Sequence, residues 1–302
     1  MRPILDMATV QIEITNFCRN SCSNCTRFCG HFKKPYFMDF DTFKKAVDSM
    51  QGFPNMIGLM GGEPLLHPHF EEFCEYLGSK VSPERCGLWT CFPEGKEHYR
   101  EIICKTFKNI FLNDHSRDDI FHAPVLVAAN ELMRDKLYMW YLIDHCWLQR
   151  SWSASINPRG AFFCECAAAM SMLFNFEKGW AVEPGWWKRT PKDFVSQMET
   201  YCPRCGMAMP LERRISRDGR DDISPNNLAR LQGISPKIEA GRYIVHDLQP
   251  KQDTNPHATY KDEFYRKGIG DRYGIFLMDN ERNFQTPYLK RNWEPNKTQE
   301  VI

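Results

Sequence analysis

The sequence has no long apolar run and no excess of charge of either sign. No stretch of its 302 residues approaches the run of about 18 uncharged apolar residues that a membrane helix requires. The 39 Lys and Arg residues balance 38 Asp and Glu residues, which excludes a global attraction to nucleic acid or to an anionic membrane. Residues 1–15 lack the basic start and apolar core of a secretion signal. We therefore expect a soluble, cytoplasmic protein that binds neither nucleic acid nor membranes.

Without a secretion signal, disulfides are a poor explanation for the 13 cysteines of the chain. Several cysteines fall into two short-spaced groups, and clustered thiols are typical of metal ligation. The first group is Cys18, Cys22 and Cys25, and the second is Cys164, Cys166, Cys202 and Cys205. The others are expected to be small buried hydrophobes, a role that free cysteine often has: Cys29, Cys74, Cys86, Cys91, Cys104 and Cys146.

Strand-like and helix-like patterns alternate over the first half of the chain. Residues 10–15 alternate apolar and polar and run directly into the first cysteine group, and a helical pattern follows at residues 41–50. Such alternation predicts an α/β fold with a parallel sheet or barrel. Residues 157–160 (NPRG) predict the turn of a β-hairpin. Further predicted strands are 56–60, 87–90, 110–113 and 125–128, and further predicted helices are 69–77, 98–107 and 131–147.

The first cysteine group has the spacing of a loop that holds a metal cluster. Three thiolates at x3 and x2 spacing can bind three corners of an iron–sulfur cube and leave one iron open, whereas a structural zinc site needs a fourth ligand. That fourth ligand could be Cys29 or His31. A third alternative is a set of uncoordinated thiols, and the spacing alone leaves all three open.

Two motifs together resemble the radical S-adenosylmethionine (SAM) superfamily: CRNSCSNC at 18–25 and GGEP at 61–64. The resemblance implies a 4Fe-4S cluster on Cys18, Cys22 and Cys25 whose open iron binds SAM. It also implies that the GGEP motif contacts the methionine end of the cofactor. Glycine permits close backbone approach to a ligand, and a carboxylate accepts from an ammonium group. The implied cofactor-binding residues are Gly61, Gly62, Glu63 and Pro64, with Asn113 and Asp114 as ribose candidates at the end of the fourth strand.

The resemblance also carries expectations about the fold and the reductant. It implies a partial (β/α)6 TIM-like barrel, and a flavodoxin- or ferredoxin-type protein as the electron donor. One position departs from the family pattern, because Asn24 stands where an aromatic residue often packs beside the adenine. Adenine contacts are therefore expected to differ in this chain.

The second cysteine group follows a segment, NPRGAFFC at 157–164, that resembles the SPASM and twitch appendages of radical SAM enzymes. Cys164, Cys166, Cys202 and Cys205 would then ligate a second, auxiliary 4Fe-4S cluster, although the same spacing is also that of a zinc ribbon. We expect Cys166 to follow Cys164 along a strand. The expected organisation is a core barrel over 1–150, a small α+β auxiliary-cluster appendage over 151–210 and a C-terminal extension over 211–302 that packs on the barrel.

The reaction implied by the resemblance is hydrogen abstraction by a 5'-deoxyadenosyl radical. A thiol that returns hydrogen to the substrate would give epimerisation, and Cys146 and Cys91 are the candidate donors; electron transfer to the auxiliary cluster would give oxidation. The early start of the first strand and the aromatic residues of 140–201 favour a small molecule, such as a sugar or sugar nucleotide. The alternatives are a peptide-modifying radical SAM maturase and a non-enzymatic iron–sulfur or zinc protein.

Overall fold

The computed structural model describes residues 1–115, 120–151, 154–248 and 275–279. Its β-strands are, in chain order, β1 Thr9–Thr15, β2 Met56–Gly61, β3 Cys86–Thr90, β4 Asn109–Asn113, β5 Phe121–His122, β6 Ala154–Asn157, β7 Gly160–Phe162, β8 Arg214–Ile215, β9 Asp221–Ile223, β10 Tyr243–Val245 and β11 Ile275–Asp279. Its α-helices are α1 Phe40–Ser49, α2 Phe70–Lys80, α3 Arg100–Thr106, α4 Ala129–Leu132, α5 Lys136–Asp144, α6 Trp147–Ser151, α7 Glu165–Phe174, α8 Val195–Tyr201, α9 Pro225–Leu231 and α10 Pro236–Glu239.

The main sheet has the strand order β11-β4-β3-β2-β1-β6-β7. Within the described ranges, the strands from β4 to β6 are parallel to their neighbours, and the edge strands β7 and β11 run antiparallel. The expected mixed α/β class with a parallel-dominated sheet is confirmed, and the sheet is consistent with a partial barrel. Because α1, α2 and α3 connect successive parallel strands, the carboxyl ends of β1 to β4 meet at one edge of the sheet.

The strand β1 is buried along its whole length, with apolar residues on one face and polar residues on the other. The apolar side chains of Val10, Ile12 and Ile14 join the main hydrophobic core. The polar side chains of Gln11 and Glu13 are also buried, at 1% and 4% exposure. Buried polar groups require partners, so this face of β1 predicts a polar interior beside the sheet.

Aromatic side chains pack α1 and α2 against each other. Asp39 caps the first turn of α1, accepting a hydrogen bond from the Thr42 amide at 2.8 Å. Phe43 of α1 stacks on Phe73 of α2, with ring centroids 4.1 Å apart. Both rings are fully buried, so they fix the two helices against each other. The predicted helices at 41–50, 69–77 and 98–107 correspond to α1, α2 and α3.

The predicted strand at 125–128 is wrong. Within this stretch only Leu126 forms a bridge, to Ile223, outside the main sheet. The Val125 carbonyl accepts from the Gly206 amide at 3.0 Å, and the Leu126 carbonyl accepts from the Ser224 amide at 3.1 Å. The run is apolar because it is buried under the C-terminal part of the chain, which satisfies its backbone in place of a neighbouring strand.

The predicted helix at 131–147 is interrupted at residues 133–135 and 145–146, and the remaining residues belong to α4, α5 and α6. Asp135 begins a new helix, because its carboxylate accepts from the amides of Leu137 and Tyr138 at 2.9 and 3.1 Å. An N-cap residue has extended backbone geometry, so the helix cannot run through it. The predicted hairpin is confirmed as β6 and β7, with Gly160 at a φ of 123° in its turn.

The region after Cys205 contains short elements that the sequence did not predict. The strand β9 pairs with β10, β8 pairs with β5, and α9 and α10 follow β9. None of the helices in the described part of the chain is long and apolar enough to cross a membrane.

His67 connects the turn after the GGEP motif to the loop before α1 through hydrogen bonds. Its Nδ1 accepts from the His69 amide and its Nε2 donates to the Met38 carbonyl, both at 3.1 Å. The arrangement requires a neutral ring, because a protonated Nδ1 cannot accept. Burial lowers the pKa of His67 to about 4.

We predict that His67 makes the free energy of unfolding depend on pH between about 6.5 and 4. Above this window the His67 ring is neutral in both the folded and the unfolded state. Within the window the ring binds a proton in the unfolded chain but stays neutral in the folded chain. Stability therefore falls as the pH drops, by on the order of 3 kcal/mol in total. The check is urea unfolding across this window for wild type and His67→Gln, with the exposed His69→Gln as control. Parallel curves for wild type and His67→Gln would contradict the prediction.

Candidate metal and cofactor site

One cavity lies at the carboxyl edge of the parallel strands and is lined by both sequence motifs. Its wall contains the cysteines of the first group and residues at the ends of β2, β3 and β4. Pro64 and Asp114 are not part of this wall. The predicted site residues that line it are Cys18, Cys22, Cys25, Gly61, Gly62, Glu63, Cys91 and Asn113.

The thiols of the first group lie in contact with a further cysteine. The Cys29 thiol hydrogen-bonds both Cys18 and Cys25, which raises its own pKa well above the ordinary value. The hydrogen bond between Cys29 and Cys25 lowers the pKa of Cys25 to about 5. Burial raises the pKa of Cys22. Among the described residues, no three His, Cys, Asp or Glu side chains already have the arrangement of a metal site. Even so, soft sulfur donors side by side on a cavity wall fit an iron–sulfur cluster or zinc.

The C-terminal part of the chain holds the cysteine loop through Ser23 and Asn24. The Ser23 amide donates to the Ser216 carbonyl at 2.7 Å, and the Ser23 carbonyl contacts His122 Nδ1 at 2.7 Å. The Asn24 side chain donates to Asp222 at 2.8 Å and accepts from the Asp222 amide at 2.9 Å. The Asn24 amide also donates to Asp221. Because Asn24 is used in this way, its side chain joins the loop to β9.

A buried charge network continues this attachment. Asp221 contacts His31 Nε2 at 2.7 Å and Lys237 Nζ at 2.9 Å, and Lys237 also donates to the Cys22 carbonyl at 2.8 Å. Burial alone would raise the pKa of Asp221, but the His31 hydrogen bond and the Lys237 charge lower it. The network ties the backbone of a predicted metal ligand to residues about 200 positions away. The sequence offered no signal for it, because its members share no local pattern.

We predict that Lys237→Met lowers the free energy of unfolding by about 3 kcal/mol or more, because it leaves the buried Asp221 without its cationic partner. Lys33→Met is the matched control. Its partner is Glu239 at 3.2 Å, both side chains are about half exposed, and such pairs contribute less than about 1 kcal/mol. Denaturant unfolding under anaerobic conditions measures both variants. Equal losses for the two variants would argue against the role of the network.

The two glycines after β2 approach the chain's own backbone. A Cβ on Gly61 would overlap the Thr15 carbonyl oxygen, and a Cβ on Gly62 would overlap the Phe17 carbonyl oxygen. The Gly62 amide donates to Thr15 at 2.7 Å, and the Glu63 amide donates to Phe17 at 2.8 Å. The glycines therefore bring the end of β2 against the segment that leads into the cysteine loop.

Glu63 is buried at 1% exposure and bridges the ends of β2 and β3. Its carboxylate accepts from the Thr90 hydroxyl at 2.6 Å and from the amides of Cys91 and Leu65 at 2.8 and 3.1 Å. Burial raises the pKa of Glu63, and hydrogen bonds from Cys91 and Thr90 oppose the rise. A carboxylate has about four acceptor positions, and these three donors use most of them.

A buried arginine lies between the two cysteine groups. Arg27 is 3% exposed and contacts Glu13 at 2.8 Å and Glu165 at 3.3 Å. Burial raises the pKa of Glu13 to about 7, and the Arg27 charge opposes the rise. Among the described residues, Arg27 Nη1 has no hydrogen-bond partner. Arg27 and Glu165 both line the cavity.

The second cysteine group lines a separate, smaller cavity. Cys164, Cys166, Cys202 and Cys205 all lie on its wall, and so does Cys146. Hydrogen bonds to Cys164 and Cys205 raise the pKa of Cys166, and the bond with Cys166 lowers the pKa of Cys205. The expectation that Cys166 lies on a strand is wrong, because it falls in the first turn of α7.

The two candidate hydrogen donors are therefore in different places. Cys91 lies on the wall of the larger cavity, whereas Cys146 lies beside the second cysteine group. Burial raises the pKa of both thiols. The cysteine nearest to Cys146 in the sequence is Cys164, 18 residues away, so spacing gave no sign that Cys146 lies beside the second group.

The aromatic residues of 140–201 do not share one pocket. Trp147 lines the larger cavity and Tyr201 the smaller one. Trp186 and Trp187 are buried in the main core, where Trp187 donates to the Ser49 carbonyl at 3.2 Å. Trp152 lies outside the described residues. Core packing therefore accounts for part of the aromatic cluster.

Comparison with known proteins gives no family assignment. No protein-family model matches the chain, and no curated protein matches it. Two similar solved structures are BtrN in complex with AdoMet and 2-DOIA, and selenomethionine BtrN in an open conformation. The first has a TM-score of 0.44 and 13% identity, covering 66% of this chain and 88% of that one. The second has a TM-score of 0.41 and 13% identity, covering 68% and 92%. Similarity at this level identifies neither the family nor the activity.

Proposed function

We propose that the chain is a radical SAM enzyme in which Cys18, Cys22 and Cys25 hold a 4Fe-4S cluster. The observation that supports this is that the three thiols line one cavity together with Gly61, Gly62 and Glu63. The two motifs are about 40 residues apart in the chain, and their meeting at the carboxyl edge of a parallel sheet is where such folds bind ligands. When bound, the reduced cluster and SAM supply a 5'-deoxyadenosyl radical that abstracts hydrogen from an unactivated C–H bond.

The residues of the chain bind and orient the reactants. The end of β2 offers its backbone and the charge of the Glu63 carboxylate to the ammonium end of the cofactor. Asn113, at the end of β4, offers an amide for the ribose. Trp89 and Met207, which also line the cavity, cover its apolar wall and exclude water. The task of the protein is therefore to hold the substrate carbon near the cofactor.

The substrate is proposed to be a small hydroxylated molecule, such as a sugar or sugar nucleotide, that is epimerised or oxidised. Arg27 supports this, because its charge is already balanced by Glu13 and Glu165 while Nη1 remains to donate. A further anionic group there would lack a positive charge to balance it, whereas a hydroxyl group could accept a hydrogen bond from Arg27 Nη1. Cys91 is the candidate hydrogen donor on this wall.

The electron donor is proposed to be an acidic protein of flavodoxin or ferredoxin type. An outer cleft contains Cys22, and its wall includes the exposed side chains of Arg19, Arg217 and Arg242 with a single acidic residue, Asp218. A cationic surface next to the cluster loop suits a negatively charged carrier.

The experiment is anaerobic reconstitution with iron and sulfide, followed by dithionite, SAM and chromatography for 5'-deoxyadenosine. We predict product from wild type and from Cys104→Ala, and at least a hundredfold less from Cys22→Ala, which lacks a cluster ligand. Cys104 is a matched control because it lies on α3 and lines neither cavity. A wild-type protein that carries the cluster but forms no product would overturn the proposal.

We further propose an auxiliary 4Fe-4S cluster in residues 151–210, held by Cys164, Cys166, Cys202 and Cys205, with Cys146 adjacent to them. The core barrel would then span 1–150, and the C-terminal extension 211–302. The support is that these thiols share one cavity.

The auxiliary cluster predicts that the double variant Cys202→Ala, Cys205→Ala binds about half the iron and sulfide of wild type, because one of two equal clusters is lost. Metal and sulfide analysis after reconstitution measures this, with Cys104→Ala as control. Unchanged iron together with zinc lost from the double variant would identify the second group as a zinc site.

A further inference from the structure

The first metal site contains a fourth cysteine that the three-cysteine motif does not include. Cys29 is buried at 2% exposure and lines the same cavity as Cys18, Cys22 and Cys25. It therefore shares one cavity wall with all three predicted ligands. A cysteine that serves only as a core hydrophobe has no reason to line a cavity beside three other cysteines.

The backbone brings Cys29 to this position through an unusual turn. Phe28 has a φ of 54°, in the left-handed region that a bulky residue rarely adopts. Its ring is buried at 1% exposure in the main core, which holds the residue there. The Phe28 amide donates to the Cys25 carbonyl at 3.0 Å, so the chain turns directly after the third cysteine of the motif. The turn returns the next residue, Cys29, to the loop.

Two other potential ligands near the loop, His31 and Cys91, have contacts of their own. His31 uses both ring nitrogens, Nδ1 with Ser235 at 2.8 Å and Nε2 with Asp221 at 2.7 Å. The Cys91 thiol lies against the Glu63 carboxylate. Of the two residues that the sequence offered as fourth ligand, Cys29 therefore lines the cavity with the other cysteines, and His31 does not.

We propose that Cys29 is a fourth ligand of the first cluster, binding the open iron in the absence of SAM and leaving it when SAM binds; this rests on the function proposed above. The exchange involves no change of oxidation state. The bond between Cys29 sulfur and iron breaks, and bonds from the amino nitrogen and carboxylate oxygen of SAM form. The proton that the ammonium group releases on coordination goes to the Cys29 thiolate. The free thiol then returns to its hydrogen bonds with the neighbouring cysteines.

The test uses full-length protein reconstituted without SAM, as wild type, Cys29→Ala and Cys91→Ala. Each is oxidised with ferricyanide and examined by electron paramagnetic resonance and Mössbauer spectroscopy. An iron with no protein ligand is lost on oxidation and leaves a three-iron cluster. We expect wild type and Cys91→Ala to retain four irons and Cys29→Ala to give the three-iron signal. A three-iron signal of equal size from wild type would overturn the proposal.

Wild type alone provides a second measurement, which does not require the variant to load its cluster. Incubation with 57Fe(II) exchanges a labile open iron but not one bound by a thiolate. We expect no exchange from wild type in the absence of SAM. Exchange without SAM would exclude Cys29 as a ligand.

The affinity for SAM separates this proposal from the proposed function. If the open form is about one tenth of the wild-type population, Cys29→Ala should bind SAM about tenfold more tightly, measured by the change that SAM causes in the reduced cluster spectrum. A wild-type cluster that retains four irons but does not respond to SAM would leave Cys29 as a ligand and overturn the radical chemistry. A cluster that responds to SAM equally in wild type and Cys29→Ala would leave the radical chemistry in place and overturn Cys29 as a ligand.

Discussion

The close backbone contact between the ends of β1 and β2 determines where the site lies. Gly61 and Gly62 pack against Thr15 and Phe17 so closely that any side chain would overlap a carbonyl oxygen. Just past the paired residues of β1 and β2, the Gly62 and Glu63 amides donate hydrogen bonds to the segment before Cys18. The cysteine loop and the GGEP turn are therefore held side by side by the chain itself. The glycines have a structural reason for being there that is independent of any cofactor.

The parts of the fold that follow local rules could be predicted from the sequence. Residues 10–15 and 41–50 have strand and helix periodicity and form β1 and α1, and NPRG forms a hairpin turn. Residues 125–128 have strand-like composition but pair with the C-terminal region, which periodicity does not encode. The helix at 131–147 failed because Asp135 acts as a cap, a signal that was present in the sequence.

Some residues of the candidate site could be identified from the sequence, and others could not. Spacing identified the cysteines, and the resemblance identified Gly61, Gly62 and Glu63, which share the cavity with them. Asp221, Asp222 and Lys237 could not be predicted, because their role depends on a fold that brings them to Cys22 and Asn24 from about 200 residues away. The burial of Arg27 between two glutamates also depends on the fold, because Glu165 is 138 residues away in the chain. Each charge in the interior is stable only because its partners arrive from other elements.

The pairing of β11 with β4 has a consequence for the molecule outside its chemistry. β4 would otherwise be the last strand of the sheet, with one row of amides and carbonyls unpaired. The antiparallel partner comes from residues 275–279, so the chain covers its own exposed edge with a segment far from β4 in sequence. A protein shortened before this segment would present an open strand to other copies. Association between copies would then increase with protein concentration, even with every residue of the cavity intact.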